Sequence, residues 1–246
     1  MRKMTKQEFF NSFKNQAYVN QLEKIERKLE AKVNETENNT EITIYGIIGD
    51  SWWDDSVSAS DIDNLLKGIT GDVVINLNSP GGDAFDGIAI YNRLKKHDGN
   101  ITINVDGWAC SAASVIAMAA DTLNMGLGSM IMIHEASSLV WGTKTEMRKE
   151  ADVLDQLEEG IIDIYMTKAK VSREEVRQMV DDETWFSASK AIEIGFATFI
   201  ETNVEAEEVT NLRNQVTKLQ NELEQYKNQN QSPQQTPANR GRRVIF

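Results

Sequence analysis

A serine that attacks a carbonyl needs a base within reach, a charge that steadies the base, and N–H groups that receive the oxyanion. Ser111 is the residue best placed for that work. It stands within 101–120, which reads as a strand, a tight turn at Gly107 and a helix of small residues. Backbone N–H groups at a helix start are unpaired and receive negative charge. Ala109, Ala112 and Ala113 leave room for a substrate to approach the backbone. Only two histidines exist, His97 and His134. His134 closes the apolar run 129–133, a strand expected to be buried on both faces. A neutral imidazole there suits a general base near pH 7. The acidic run Asp181, Asp182, Glu183 offers a carboxylate to orient it. The turn 79–82 (Ser-Pro-Gly-Gly) lets backbone come close to an oxyanion. Each feature also has an ordinary reading: a helix cap, a structural histidine, a solvated acidic patch, a plain strand-to-helix turn.

The elements that must position these residues alternate in type. Residues 41–49 and 72–78 are β-branched and apolar, so they read as strands. Helices follow at Ser58-x-x-Asp61, with Ile62, Leu65, Leu66 and Ile69 on one stripe, and after Gly82, with Ile88, Ile90, Tyr91 and Leu94. Thr143-x-x-Glu146 is a capping box for a long helix, and Ser172-x-x-Glu175 for a shorter one. Ser187 caps a last helix that stops at Gly195, and 196–200 reads as a final strand. This alternation over 41–200 predicts an α/β domain with much parallel sheet. Residues 1–40 read as a helical segment, ending in a polar linker over 34–40. Trp52 and Trp53 line a groove or pack under a neighbour. Beyond Glu201, Val209, Leu212, Val216, Leu219, Leu223 and Tyr226 step as a heptad seam, so 201–229 reads as a coiled-coil-like helix. Residues 230–246 read as a disordered tail with a basic end.

Composition narrows the classes. The net charge is −12, which argues against nucleic acid as the partner of the whole chain. One cysteine, Cys110, excludes an intrachain disulfide and fits a reducing, cytoplasmic compartment. No apolar run nears the roughly 20 residues of a membrane span, and no secretory pattern opens the chain.

The motifs 78–82 (Asn-Ser-Pro-Gly-Gly), 107–113 (Gly-Trp-Ala-Cys-Ser-Ala-Ala), 132–135 (Met-Ile-His-Glu) and 185–188 (Trp-Phe-Ser-Ala) with 193–195 (Glu-Ile-Gly) occur in that order. Together they resemble the proteolytic subunit of Clp protease, over about residues 41–200. The Asp-Ser-Trp-Trp and Glu-Thr-Trp segments and the tail are more similar to the phage branch of that family, the head maturation proteases. The resemblance implies a spiral of β-β-α units and a homo-oligomeric ring. It implies a serine endopeptidase with Ser111 as nucleophile, His134 as base, and the N–H groups of Gly82 and Ala112 as oxyanion hole. The family's aspartate falls on Glu183, with Asp182 and Asp181 as rivals. Cys110 stands where the family has another small residue and is itself a rival nucleophile. No cofactor or metal is implied. A ring ATPase would be a separate partner, since the chain has no Gly-x-x-x-x-Gly-Lys-Ser/Thr motif; capsid or scaffold protein is the other candidate partner. Two alternatives stand beside the protease: a crotonase-type acyl-CoA enzyme, which also uses N–H groups on an oxyanion, and a non-enzymatic assembly factor built on the terminal helices.

Overall fold

A computed structural model of the chain describes residues 5–36, 39–49 and 56–201, and beyond them Gln215, Lys218 and Leu219, which are helical. The chain divides into two units, Met1–Glu201 and Thr202–Phe246. The heptad seam, the tail and the Trp52-Trp53 pair otherwise lie outside the described residues.

Two short helices open the chain, α1 (Lys6–Asn11) and α2 (Val19–Leu22). Thr5 and Glu8 close α1 with a reciprocal capping box. The helical reading of the first 40 residues ends there. Lys28–Asn34 is a strand, β1, paired antiparallel with β2 (Asn39–Tyr45). Leu29, Ala31 and Val33 alternate with Lys28, Glu30 and Lys32, the period of a strand.

From β2 the chain is the expected α/β alternation. Strands β3 (Ile47–Ile48) and β4 (Ser56–Val57) form a small parallel pair, and α3 (Ala59–Leu66) follows. Strand β5 (Asp72–Ser79) leads to α4 (Ala84–Leu94), and β6 (Ile101–Cys110) to α5 (Ala112–Ala117). Then come β7 (Thr122–Gly126), β8 (Met130–Ile133), the long α6 (Lys144–Met166), α7 (Arg173–Asp181), β9 (Thr184–Ser187), α8 (Ala188–Glu193) and β10 (Phe199–Glu201). The capping boxes at Ser58, Thr143 and Ser172 all form, as does the Ser187 cap. The main sheet runs β1-β2-β5-β6-β7-β10, parallel from β2 onward, with β8 against β6 and β9 antiparallel to β8.

One sheet face is apolar: Ile42, Ile44, Val73, Ile75, Leu77, Ile103 and Val105 are buried in the main core. The other face carries a polar ladder. Asn76 donates to Glu41, Asn104 to Asn76, and Asn124 to Asn104, at 2.6, 3.0 and 3.0 Å.

Two features of this sheet set the site. Strand β6 changes partner along its length. Thr102–Val105 pair with β7, whereas Trp108–Cys110 pair with β8. The step is an irregularity between Leu77 and Ser79 of β5, where the Asn78 side chain accepts the Trp108 N–H at 3.1 Å. Gly107 therefore lies inside the strand and is not the turn its sequence context suggests. A side chain there would meet the Asn78 carboxamide, so the glycine is needed for a close approach. Strand β8 is buried on both faces, as its continuous apolar run implies: Ile131 and Ile133 face the main core, and Met132 faces a second cluster. That second core is built by Phe9, Phe10, Phe13, Val19 and Leu22, with Cys110. The N-terminal segment thus covers the outer side of β8, directly behind His134.

Candidate active site

The turn lies at Ser111, between β6 and α5. Its φ and ψ are 53° and −124°, a conformation that L residues rarely adopt. Strain of this kind costs about 1–3 kcal/mol and persists where the surroundings impose it. The surroundings here do so. The Ser111 N–H donates to the Met132 carbonyl at 2.9 Å. The Ser111 carbonyl accepts from the Ser114 N–H and, at 2.6 Å, from the Ser114 hydroxyl. Ser114 in turn bonds the buried Tyr165 hydroxyl of α6 at 2.7 Å. Ala112, Ala113 and Gly87 let α5 and α4 pack backbone to backbone; a Cβ on Gly87 would sit 2.9 Å from that of Ala112.

His134 leaves the end of β8 and places Nε2 2.9 Å from Ser111 Oγ. Both line a cavity of about 460 Å³, together with Gly82, Ala112 and an apolar wall of Leu154, Leu157 and Ile161. Gly81 and Gly82 run alongside the turn at φ 93° and 148°. A Cβ on Gly81 would lie 2.6 Å from that of Ser111. Ile48 donates to the Gly81 carbonyl and Asp83 to the Ile48 carbonyl, both at 2.8 Å. Among the described residues, neither the Gly82 nor the Ala112 N–H has a hydrogen-bond acceptor. These two donors border the same cavity as the serine hydroxyl, so an oxyanion formed there has partners available.

Burial pushes the His134 imidazole down to about 4, against the opposing charge of Glu183 and with a smaller push in the same direction from Lys14. The ring is thus neutral near pH 7, the form that accepts a proton. Its ordinary value is about 6.5. Between pH 6.5 and 4 the unfolded chain binds the proton and the folded chain does not. This contribution to stability is complete above about pH 6.5 and is lost as the pH falls toward 4. A histidine-selective NMR titration is expected to give a midpoint near 4 for His134; a midpoint at 6.5 or above would contradict the burial argument.

Glu183 stands behind the imidazole, only 7% exposed, with φ at 53°. Its carboxylate accepts from the Lys14 N–H, from the Asn15 N–H at 2.7 Å and from the Trp185 indole at 3.2 Å. None of the hydrogen bonds among the described residues joins it to His134, on which it acts through its charge. Asp181 and Asp182 end α7 elsewhere: the Asp182 carboxylate accepts from Gln178 at 2.9 Å, and the Asp181 carbonyl accepts from Lys14 Nζ. Cys110 is fully buried and its thiol is pushed well above its ordinary value by that burial and by Glu183. A protonated thiol facing the second core is no rival to a hydroxyl in the cavity. Sequence reading missed the donors from Lys14 and Asn15, because backbone N–H groups leave no mark in residue types. It also missed Glu158 of α6, which accepts the Ala136 N–H at 2.9 Å and so fixes the loop after His134. Among the described residues, no three His, Cys, Asp or Glu side chains gather as they would around a metal ion.

A family model described as Clp protease matches residues 38–204. The chain belongs to the Clp protease family. The proteolytic subunit 1 of the ATP-dependent Clp protease of Chlamydia muridarum is 31% identical over 127 residues, covering 50% of this chain and 66% of the relative. The subunit 3 of Rhodococcus jostii is 28% identical over 127 residues, covering 50% and 62%. The match thus spans just under two thirds of these family members. Among solved structures, a ClpP1 mutant from Listeria monocytogenes superposes with a TM-score of 0.58 at 23% identity, covering 66% of this chain and 91% of that one. The fold is therefore the Clp protease/crotonase-like one. Among the described residues, no helix is long and apolar enough to cross a membrane.

Proposed function

We propose that the chain is a serine endopeptidase acting on protein or peptide substrates. The observation that carries this reading is the 2.9 Å contact between His134 Nε2 and Ser111 Oγ at the wall of an open cavity. In this reading His134 takes the Ser111 proton as Oγ attacks the scissile carbonyl carbon. The carbonyl oxygen becomes an oxyanion and accepts from the N–H groups of Gly82 and Ala112. The imidazolium then gives its proton to the departing amine, and the acyl group stays on Ser111. Water, deprotonated by the same imidazole, releases it. Glu183 stabilises the imidazolium by its charge, in the role the aspartate has elsewhere in the family. Family membership supports a homo-oligomeric ring, with a separate ring ATPase or a capsid or scaffold protein as partner.

A fluorophosphonate probe tests the reading. The reagent phosphonylates an activated serine hydroxyl with loss of fluoride. We expect one adduct, mapped by tandem mass spectrometry to the peptide holding Ser111, and its loss when His134 is replaced by alanine. An unlabelled Ser111 in folded protein would refute the proposal. Acyl-CoA binding with no adduct would favour the crotonase alternative.

A further inference from the structure

We infer that the N-terminal segment 5–25 is a positioning element of this site: the backbone N–H groups of Lys14 and Asn15 hold the Glu183 carboxylate, and Phe13 seals the back of His134. The inference rests on the protease reading for its kinetic consequence, but not for its structural one.

Three observations carry it. First, the two N–H groups reach the two oxygens of one carboxylate, Lys14 to Oε2 and Asn15 to Oε1, across 169 and 168 residues of chain. A buried carboxylate is costly unless donors satisfy it. Among the described residues, its donors apart from the Trp185 indole come from this segment. Second, the Phe13 ring is 2% exposed and packs edge-on to the imidazole, with centroids 5.4 Å apart. Water is thereby kept from the part of the imidazole that Phe13 covers. Third, the segment is anchored on both sides of that contact. Phe9 and Phe10 precede it, and Val19 and Leu22 follow it in the same apolar cluster. Lys14 Nζ also bonds the Asp181 carbonyl and pairs with Glu135 at 3.3 Å, so α7 and the loop after His134 are tied together through one side chain.

The consequence is specific. The charged groups facing the imidazole are Glu183, from the turn before β9, and Lys14, from the segment; Glu135, its chain neighbour, pairs with Lys14. If the segment loosens, water reaches the ring and the carboxylate loses its fork of donors. Both changes favour the imidazolium, so the midpoint of His134 must rise.

The test uses the full chain with four substitutions. Asn15→Pro removes one donor. Asn15→Ala keeps the N–H and serves as control. Phe13→Ala opens the back of the ring, and Phe13→Leu restores most of its bulk. Histidine-selective NMR follows His134, which shares the spectrum only with His97. We expect the His134 midpoint to rise by at least one pH unit in Asn15→Pro and Phe13→Ala, and to stay in place in Asn15→Ala and Phe13→Leu. The kcat for a peptide substrate should fall about tenfold or more in the first two, and Asn15→Pro should add nothing to Glu183→Ala. Unmoved midpoints in folded Asn15→Pro and Phe13→Ala overturn the inference, whatever the protein cleaves. A Phe13→Leu midpoint as high as that of Phe13→Ala does so too. Should Asn15→Pro fail to fold, the Phe13 pair decides alone. An active wild type with unchanged variants sinks the positioning role only, whereas an unlabelled Ser111 with shifted midpoints sinks the protease reading only.

Discussion

Replacing Ser111 by alanine is expected to lower kcat for peptide cleavage by about 10⁵-fold, because the attacking atom is gone while the oxyanion donors and the cavity remain. The cavity keeps its walls, so KM should change little. The same position gives a second, independent reading. Ser111 holds φ at 53° and ψ at −124° under bonds to Met132 and Ser114. Glycine adopts that conformation freely, whereas alanine carries a Cβ into it. Ser111→Gly should be equally inactive yet more stable than Ser111→Ala by about 1 kcal/mol, or about 2–4 °C in Tm for a domain of this size. Both variants lack the bond to His134, so the difference isolates the backbone. Cleavage that survives in Ser111→Ala, with trace contaminants excluded by the probe, would overturn the assignment of the nucleophile. Equal melting temperatures would mean that the turn is not strained.

The second large effect is at Gly82. A Cβ there would lie 1.9 Å from the Ile48 carbonyl oxygen and 3.0 Å from Cγ2 of Ile47. The Ile48 carbonyl cannot swing aside, since Ile48 is held by its bonds to Gly81 and Asp83. The strand segment β3 must separate from the glycine turn, and the Gly82 N–H moves with it. Gly82→Ala is expected to cost about 3 kcal/mol or more in stability, from backbone strain together with a steric clash. The fraction that remains folded should lose about 10²–10³-fold in kcat, the usual effect of removing one oxyanion donor. Gly128 is the control. Its φ is 83°, but nothing lies within 4 Å of a Cβ there, so alanine costs only the left-handed conformation, about 1 kcal/mol. Urea melts of the two variants separate clash from strain. A Gly82→Ala protein as stable as Gly128→Ala would show that β3 yields easily.

Much of this was legible in residue types. Side-chain caps obey local rules, so Thr143 with Glu146 and Ser172 with Glu175 marked helix starts to the residue. The continuous run 129–133 declared a strand covered on both sides, though not by what. The hydroxyl and imidazole were legible because their motifs come in a fixed order. Gly107 misled because a glycine before a helix of small residues reads as a turn. Only the three-dimensional neighbour, Asn78, makes it a strand residue. Lys28–Asn34 was lost for a related reason: seven residues of mixed charge have weak intrinsic preference, and pairing with β2 decides their state. The main-chain surroundings of Glu183 were not legible at all. Besides the nearby Trp185 indole, its partners are main-chain groups almost 170 residues away, and no spacing rule spans that distance.

The helix α6 is tied to both sides of the Ser111–His134 contact through neighbouring residues. Tyr165 reaches the Ser111 turn through Ser114, and Glu158 grips Ala136, two residues past His134. The two attachment points are seven residues apart, about 10 Å along one rod. Hydroxyl and imidazole therefore hang from a common beam. A tilt of the whole helix carries both suspension points together and leaves the gap between Oγ and Nε2 nearly unchanged. Unwinding the two turns between Glu158 and Tyr165 would pull the points apart and open that gap.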